Sequence, residues 1–285
     1  LSTALFSHDI WQHIRREATE LATHEPALAS FYHASILNHD TLADAVSYHL
    51  ATLLDSQAVP AMSIREVFLQ AMQLDSSIEA ALCRDIEAYC ERDPACNQFV
   101  MPLLYFKGFH GLQAYRFANW LWRQERRSLA LYLQNQISQT FHVDIHPAAR
   151  IGNGIMIDHA TGVVIGETAV VGDNVSMLHS VTLGGSGNTK GDRHPKIGNC
   201  VLISAGAKIL GNIQVGDCAR VGAGSVVLDD VPPHQTAVGV PARVIDGRGR
   251  DEPGREMTHG MDDSPLGEAA LEQPPEGALS VKAGD

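Results

Sequence analysis

From Ile145 onward an aliphatic side chain returns every six residues, and no other feature of this 285-residue chain restricts its fold as strongly. One series runs Ile145, Ile151, Ile157, Val163, a second Ile165, Val171, Met177, Leu183, and a third Ile197, Ile203, Ile209, Val215, Val221, Val227. Four places beyond an anchor stands a small or β-branched residue, as at Ala149, Ile155, Thr161, Ala169, Val175, Val181, Val201, Ala207, Ile213, Ala219 and Ser225. A period of six matches neither the 3.6-residue turn of an α-helix nor the two-residue alternation of a hairpin. It suits a solenoid of short strands and tight turns, in which each unit buries its apolar face only by stacking on its neighbours.

Three hexads close one triangular coil of about 18 residues, with the anchors inside the prism. Gly follows many anchors, at 152, 166, 172, 184, 198, 216 and 222, and serves turns where a Cβ would be crowded. The predicted fold class is α+β: an N-terminal all-helical domain over residues 1–141, then a left-handed parallel β-helix of hexapeptide repeats over residues 142–246. The phase breaks twice. Val163 and Ile165 are two residues apart just after "DHATG", and fourteen residues rather than twelve separate Leu183 from Ile197. The second interval contains "GGSGNTKGDRHPK", whose composition predicts a loop, 184–196, projecting from the prism.

The helical assignment of the first half rests on a different period. Apolar residues recur there at helical spacing, as in "LQAYRFANWLWRQ", where Leu112, Tyr115, Phe117, Trp120 and Leu121 form a broad face. "SIRE" at Ser63–Glu66 and "SSIE" at Ser76–Glu79 fit the capping box that opens a helix. Pro26, Pro60, Pro94 and Pro102 divide the region into several helices. Residues 247–285, rich in Gly, Pro, Glu and Asp, are expected to form a mobile tail.

A formal charge of -12 and the lack of a basic stripe argue against a nucleic-acid partner. "RQERR", Arg123–Arg127, reads as a solvated helix end. No apolar run of about 18 residues predicts a membrane span, and the early charge and His of "LSTALFSHDIWQHIRRE" do not fit a secretory signal. No membrane partner and a cytoplasmic location are expected. Cys83, Cys90, Cys96, Cys200 and Cys218 lack CxxC spacing and read as reduced, structural thiols, with Cys200 and Cys218 stacked one coil apart.

Five polar residues gather around the two breaks: Asp144, Asp158, His159, Arg193 and His194. Asp144 precedes anchor Ile145 and His159 follows anchor Ile157 by two places, which predicts neighbouring rungs roughly 5 Å apart. A carboxylate on one imidazole nitrogen leaves the other free as a base. The same pair on a β-helix wall also reads as a plain surface hydrogen bond. His142, His146 and His179 read as packing or turn residues, and "GGSG" at Gly184–Gly187 is a weak phosphate signal because no helix start follows it.

"DIHPAARIGNGIMIDHATGVVIGETAVVGDNVSMLHSVTLGG", "GDRHPKIGNCVLISAGAKILGNIQVGDCARVGAGSVV" and "GVPAR", with "RDPA" and "PLLYFKGFHGLQAYRFANWLW" before the repeat, closely resemble the serine O-acetyltransferase family from about Trp11 to Gly247. Hexads and "GVPAR" alone point only to the wider hexapeptide acyltransferase superfamily; the helical half narrows the resemblance. It implies acetyl transfer from acetyl-CoA, as co-substrate, to the L-serine hydroxyl, giving O-acetyl-L-serine and CoA, the first step of cysteine biosynthesis. It implies His159 as general base, Asp144 as its orienting carboxylate, and Asp93, Asp158, Arg193 and His194 as the amino-acid site. Carboxylates for an ammonium and a guanidinium for a carboxylate suit a zwitterion. Transfer would be direct, with no acyl-enzyme. Gly185 is expected to offer an oxyanion N–H, and Gly185, Ala205 and Ala223 to line a CoA groove between subunits. No metal is expected. The resemblance further implies a homo-oligomer, a trimer or a dimer of trimers (a hexamer), feedback inhibition by L-cysteine, and docking of a C-terminal Ile into O-acetylserine sulfhydrylase; here the terminal Asp285 departs from that last pattern.

Other readings fit parts of the sequence. One is a hexapeptide acetyltransferase acting on a different hydroxyl, of homoserine, a sugar or a xenobiotic. Another is a γ-type carbonic anhydrase with zinc held by His between subunits, against which the His spacings do not follow the coil. The last is a non-catalytic scaffold with the acidic tail as its interaction element.

Overall fold

The structure, a computed structural model, describes residues 7–187, 190–245 and 251–257. The first half holds helices α1 (Ser7–His24), α2 (Ala29–Tyr32), α3 (Leu42–Leu53), α4 (Ala61–Leu74), α5 (Ser76–Arg92), α6 (Val100–Tyr105), α7 (Lys107–Arg123) and α8 (Arg127–Phe141). Helix α7 is its axis. Leu112, Tyr115, Phe117, Trp120 and Leu121 are all buried, and Phe117 stacks on Phe68 of α4 with ring centroids 4.0 Å apart. Among the described residues no helix is long and apolar enough to cross a membrane.

Two helices start earlier than the capping boxes predict. Helix α4 begins at Ala61, whose N–H is taken by Asp55 Oδ1 at 2.7 Å, so Ser63 lies inside the first turn. Helix α5 is capped by Asp75, whose Oδ1 accepts from the Ser77 N–H at 3.1 Å. A carboxylate caps a positive helix end better than the neighbouring hydroxyl does, and Arg123 holds Asp75 at 2.8 Å.

The second half is built from strands of two to four residues: β1 (Val143–Ile145), β2 (Arg150–Ile151), β3 (Met156–Ile157), β4 (Val163–Ile165), β5 (Val170–Val171), β6 (Ser176–Met177), β7 (Thr182–Gly184), β8 (Lys196–Ile197), β9 (Leu202–Ile203), β10 (Lys208–Leu210), β11 (Gln214–Val215), β12 (Arg220–Val221), β13 (Val226–Val227), β14 (Thr236–Gly239) and β15 (Ala242–Ile245). They form three faces of a prism. The first face is β1-β4-β7-β10-β13, the second β2-β5-β8-β11 and the third β3-β6-β9-β12-β14-β15. Pairing is parallel except between β14 and β15, which close the stack as a hairpin.

The register explains both phase breaks. Because Val164 pairs with Thr182 and Ile165 with Leu183, Val163 stands beside Val181, in the place four beyond an anchor, and is not an anchor itself. Eight residues therefore separate Ile157 from the next true anchor, Ile165, where six separate Met177 from Leu183. The two extra residues enlarge the corner at 158–162. Ala160 is buried there, and Thr161, four places beyond Ile157, is exposed. At the next corner fourteen residues separate Leu183 from Ile197 where six separate Ile165 from Val171, so the loop carries eight additional residues; positions 188–189 lie outside the described residues.

Buried polar contacts weld the halves together. Asp85, fully buried, takes Arg116 Nη2 at 2.7 Å, Gln113 Nε2 at 2.8 Å and the Ile155 N–H at 2.8 Å. Tyr115 donates to the Ala149 carbonyl at 2.5 Å. The Tyr89 hydroxyl accepts from the Ile157 N–H at 3.0 Å and donates to the Ile157 carbonyl at 2.8 Å.

The tail expected to be mobile contains a packed segment. Residues 253–256 form a short helix, α9, and Gly254 donates to the Cys200 carbonyl at 2.8 Å while its own carbonyl accepts from Ser176 Oγ at 2.5 Å. A Cβ on Gly254 would lie 2.5 Å from the Asn174 carbonyl, so glycine permits this approach. Composition misses such a contact because it depends on backbone, not on large apolar side chains. Residues 247–250 and 258–285 of the tail lie outside the described residues, Asp285 included.

Candidate active site

The enlarged corner between the third and first faces carries Asp158 and His159. Five residues must turn the chain there, and three adopt left-handed backbone: His159 (φ 55°), Ala160 (φ 57°) and Gly162 (φ 81°). Hydrogen bonds brace the bulge: Asp158 N–H to Met177 O at 2.8 Å, Gly162 N–H to His142 O at 2.9 Å, and Ser180 N–H to Thr161 O at 2.8 Å. With Ala160 plugged into the interior, the His159 side chain stands outside, 73% exposed.

The helical half walls this corner. Helix α5 ends at Arg92 with Asp93 as its C-cap, and the chain turns back because Asp93 Oδ1 accepts from the Ala95 N–H at 2.8 Å. Helix α7 starts against β3: a Cβ on Gly108 would lie 2.0 Å from the Ile157 carbonyl, so only glycine lets the helix sit this close. The result is a cavity of about 560 Å³ in which Asp93, Asp158 and His159 meet Tyr105, Lys107 and Thr161. Lys107 Nζ donates to the Thr161 hydroxyl.

Asp144 is elsewhere. Its Oδ1 accepts from Gln134 Nε2 of α8 at 2.7 Å, and it shares no hydrogen bond with His159 among the described residues. The carboxylate beside the ring is Asp158, with Oδ2 3.4 Å from His159 Nε2. Where an Asp144–His159 hydrogen bond is expected, Asp144 meets Gln134 of α8 and the ring meets its own neighbour Asp158.

Arg193 and His194 occupy a different corner, between the first and second faces. Arg193 Nη2 pairs with Glu167 Oε2 at 2.7 Å, and this guanidinium holds the Glu167 carboxyl below the usual carboxylate range. His194 is buried; Gly166 makes room for it, since a Cβ there would lie 2.0 Å from Nε2. Its Nδ1 meets Thr168 Oγ1 at 2.9 Å, and burial followed by the charge of Arg193 lowers its pKa. Within one chain these two residues do not line the His159 cavity. Gly185 follows β7 toward this same corner.

Ala205 and Ala223 belong to the His159 edge. Successive coils turn there at His159, His179, Ala205 and Ala223, and each of the last three is followed by a left-handed residue: Ser180 (φ 59°), Gly206 (φ 73°) and Gly224 (φ 67°). Gly206 N–H to His179 O at 3.0 Å and Gly224 N–H to Ala205 O at 2.8 Å tie the turns into a ladder with small side chains at its lower end. Sequence reasoning passed over Tyr89, Lys107, Gly108 and Glu167. Tyr89 had one signal: it lies four residues, one helical turn, before Asp93.

A helical cap on a prism of hexapeptide coils, with one histidine lifted out of an enlarged corner, defines a transferase of the hexapeptide class. The bacterial transferase hexapeptide family (six repeats) matches residues 194–229, and the family "serine acetyltransferase, N-terminal" matches residues 10–114. The serine acetyltransferase of Salmonella typhimurium is 58% identical over 248 residues, 87% of this chain and 91% of the relative. Among solved structures, a serine acetyltransferase in complex with cysteine is 54% identical with a TM-score of 0.88, covering 90% of this chain and 100% of that one. One in complex with CoA is 56% identical with a TM-score of 0.81, covering 84% and 100%. Soybean serine acetyltransferase complexed with serine is 55% identical with a TM-score of 0.82, covering 84% and 98%. The chain belongs to the serine acetyltransferase family, a family of acyltransferases.

Proposed function

We propose that this protein transfers the acetyl group of acetyl-CoA to the hydroxyl of L-serine, with His159 as general base. The observation that carries the reading is the enlarged corner, which lifts His159 into a cavity beside two carboxylates, Asp93 and Asp158. Relatives solved with serine, with cysteine and with CoA support the choice of ligands.

In this mechanism Asp93 and Asp158 hold the serine ammonium. His159 removes the hydroxyl proton as the oxygen attacks the thioester carbonyl carbon. The tetrahedral adduct then collapses, the carbon–sulfur bond breaks, and the CoA thiolate takes the proton back from His159. Asp158, 3.4 Å from the ring, favours the transient imidazolium. Asp144 is the orienting carboxylate by resemblance; Gln134 donates to its Oδ1, and Oδ2 is the oxygen it would offer to the imidazole. The pantetheine arm would lie along the edge below His159, over the small side chains of Ala205 and Ala223. L-Cysteine, a thiol in place of the hydroxyl, would compete for the same cavity.

Arg193, His194 and the Gly185 N–H enter from a second copy. Inside one chain they stand on another corner, and a three-fold arrangement of prisms would set the first–second corner of one copy against the third–first corner of the next. This reading implies a trimer, or the dimer of trimers paired through the helical halves that the family resemblance implies. The sulfhydrylase partnership turns on Asp285, outside the described residues, and is not assigned.

The test is serine-dependent release of CoA thiol from acetyl-CoA by the purified protein. Robust release with L-serine, and little with homoserine or a sugar hydroxyl, is expected. No release with serine, or equal release with every acceptor, overturns the assignment.

A further inference from the structure

Lys107 is the one lysine or arginine lining the His159 cavity among the described residues, and no role falls to it in the mechanism above. It opens helix α7 at the point where Gly108 brings that helix against Ile157, so its backbone is fixed by the same close approach that shapes the site. Its ammonium donates to a neutral partner, the Thr161 hydroxyl, and meets no carboxylate within ion-pair distance among the described residues. An ammonium has three N–H donors, so two remain for a ligand. The cavity therefore presents two carboxylates, a base and one uncompensated cation within a single chain. Arg193, the residue matched by resemblance to a substrate carboxylate, is already paired with Glu167 on another corner.

We infer that Lys107 binds the carboxylate of the amino-acid acceptor, so that it, and not Arg193 alone, sets the preference for an α-amino acid over an amino alcohol or amide. The inference rests on the serine acetyltransferase reading. Lys107 lines the same cavity as Asp93, Asp158 and His159, so an acceptor that offers its ammonium to the two carboxylates and its hydroxyl to His159 would offer its carboxylate to Lys107. Lys107 touches substrate in this proposal, whereas Thr161 only steadies the ammonium.

The test compares L-serine with L-serinamide, which keeps the ammonium and hydroxyl and replaces the carboxylate by a neutral amide. For Lys107→Met the KM for serine is expected to rise about tenfold or more while that for serinamide stays within about twofold, one lost charge-assisted contact being worth that order. Lys107→Arg is expected to recover most of the serine preference, and Thr161→Val to leave the serine-to-serinamide ratio unchanged. A Lys107→Met enzyme that loses equally on both acceptors, or on neither, overturns the inference, as does a Thr161→Val enzyme that reproduces the lost ratio. Failure of the underlying function shows earlier and separately, as absence of serine-dependent thiol release in the unaltered protein.

Discussion

At the residue scale, His159 pairs an unfavourable backbone with an exposed ring: φ is 55° and the side chain is 73% open. A left-handed non-glycine residue costs roughly 1 kcal/mol, and the outward ring offsets little of that by packing. His159→Ala is therefore expected to leave the thermal midpoint almost unchanged while thiol release falls by about 10²- to 10⁴-fold, the range for loss of a general base. A variant that keeps most of its activity sinks the mechanism. The two candidate orienting carboxylates separate by mutation as well. Asp158→Asn is expected to lower kcat and raise the serine KM together, because Asp158 touches both ring and cavity, whereas Asp144→Asn, outside the cavity lining, is expected to lower kcat with the serine KM little changed. The residues of this site were legible in the sequence as types; their partners were not. Asp144 and His159 are one coil apart by counting, yet a helix residue 10 positions upstream of Asp144 claims its carboxylate, and no hexad count contains α8.

At the element scale, the site depends on how α5 and α7 dock on β3. One hydroxyl, Tyr89, satisfies both backbone groups of Ile157, the residue before Asp158, from a point one helical turn ahead of Asp93. Tyr89→Phe leaves a buried N–H and a buried carbonyl unpaired, at a cost of about 1–3 kcal/mol, and is expected to raise the serine KM by loosening the spacing between Asp93 and Asp158. Thermal unfolding and steady-state kinetics on the same preparation check both. Within the helical half, His49 on α3 and His110 on α7 face each other with ring centroids 5.3 Å apart. Burial, with the neighbouring His110 second for His49, lowers their pKa values to about 3 and about 4. Both rings are neutral in the fold and take up protons in the unfolded chain near pH 6.5, so their stabilising effect is complete above that pH and fades as pH falls toward 4 and then 3. By pH 5 the loss approaches about 2 kcal/mol per ring. Replacing both with Gln is expected to flatten the dependence of the unfolding midpoint between pH 7 and 5; an unchanged slope contradicts it. The solenoid was readable because a stacked prism imposes one period on every coil. Helix starts shifted because Asp75 and Asp55 outcompete the serines that follow them, and Thr161 faced solvent because a two-residue insertion moves everything after it.

At the scale of the whole molecule, the question is why Arg193 and His159 stand on different corners. If copies share sites, two inactive variants repair each other. Co-expressed His159→Ala and Arg193→Ala chains, mixed at random in a three-fold ring, place an intact His159 opposite an intact Arg193 at about a quarter of the sites. Recovery to that level is expected, and none if each chain works alone. The phase of the loop hid this arrangement from the sequence: hexads assign corners only while the count is unbroken, and the eight additional residues between Leu183 and Ile197 interrupt it just where Arg193 lies.

If the pantetheine arm lies along the ladder of turns from His159 through His179 and Ala205 to Ala223, as proposed, the prism is also a length gauge. Each coil advances the edge by about 4.8 Å, so three steps mark off about 14 Å. A thioester carrier gripped at the Ala223 notch presents its acyl carbon to His159 only if its arm matches that distance. Excising one complete coil between the two would keep every face in register and shorten the gauge by one notch, turning the site toward carriers with a correspondingly shorter arm. Coils added beyond Val227 would leave the measured length untouched.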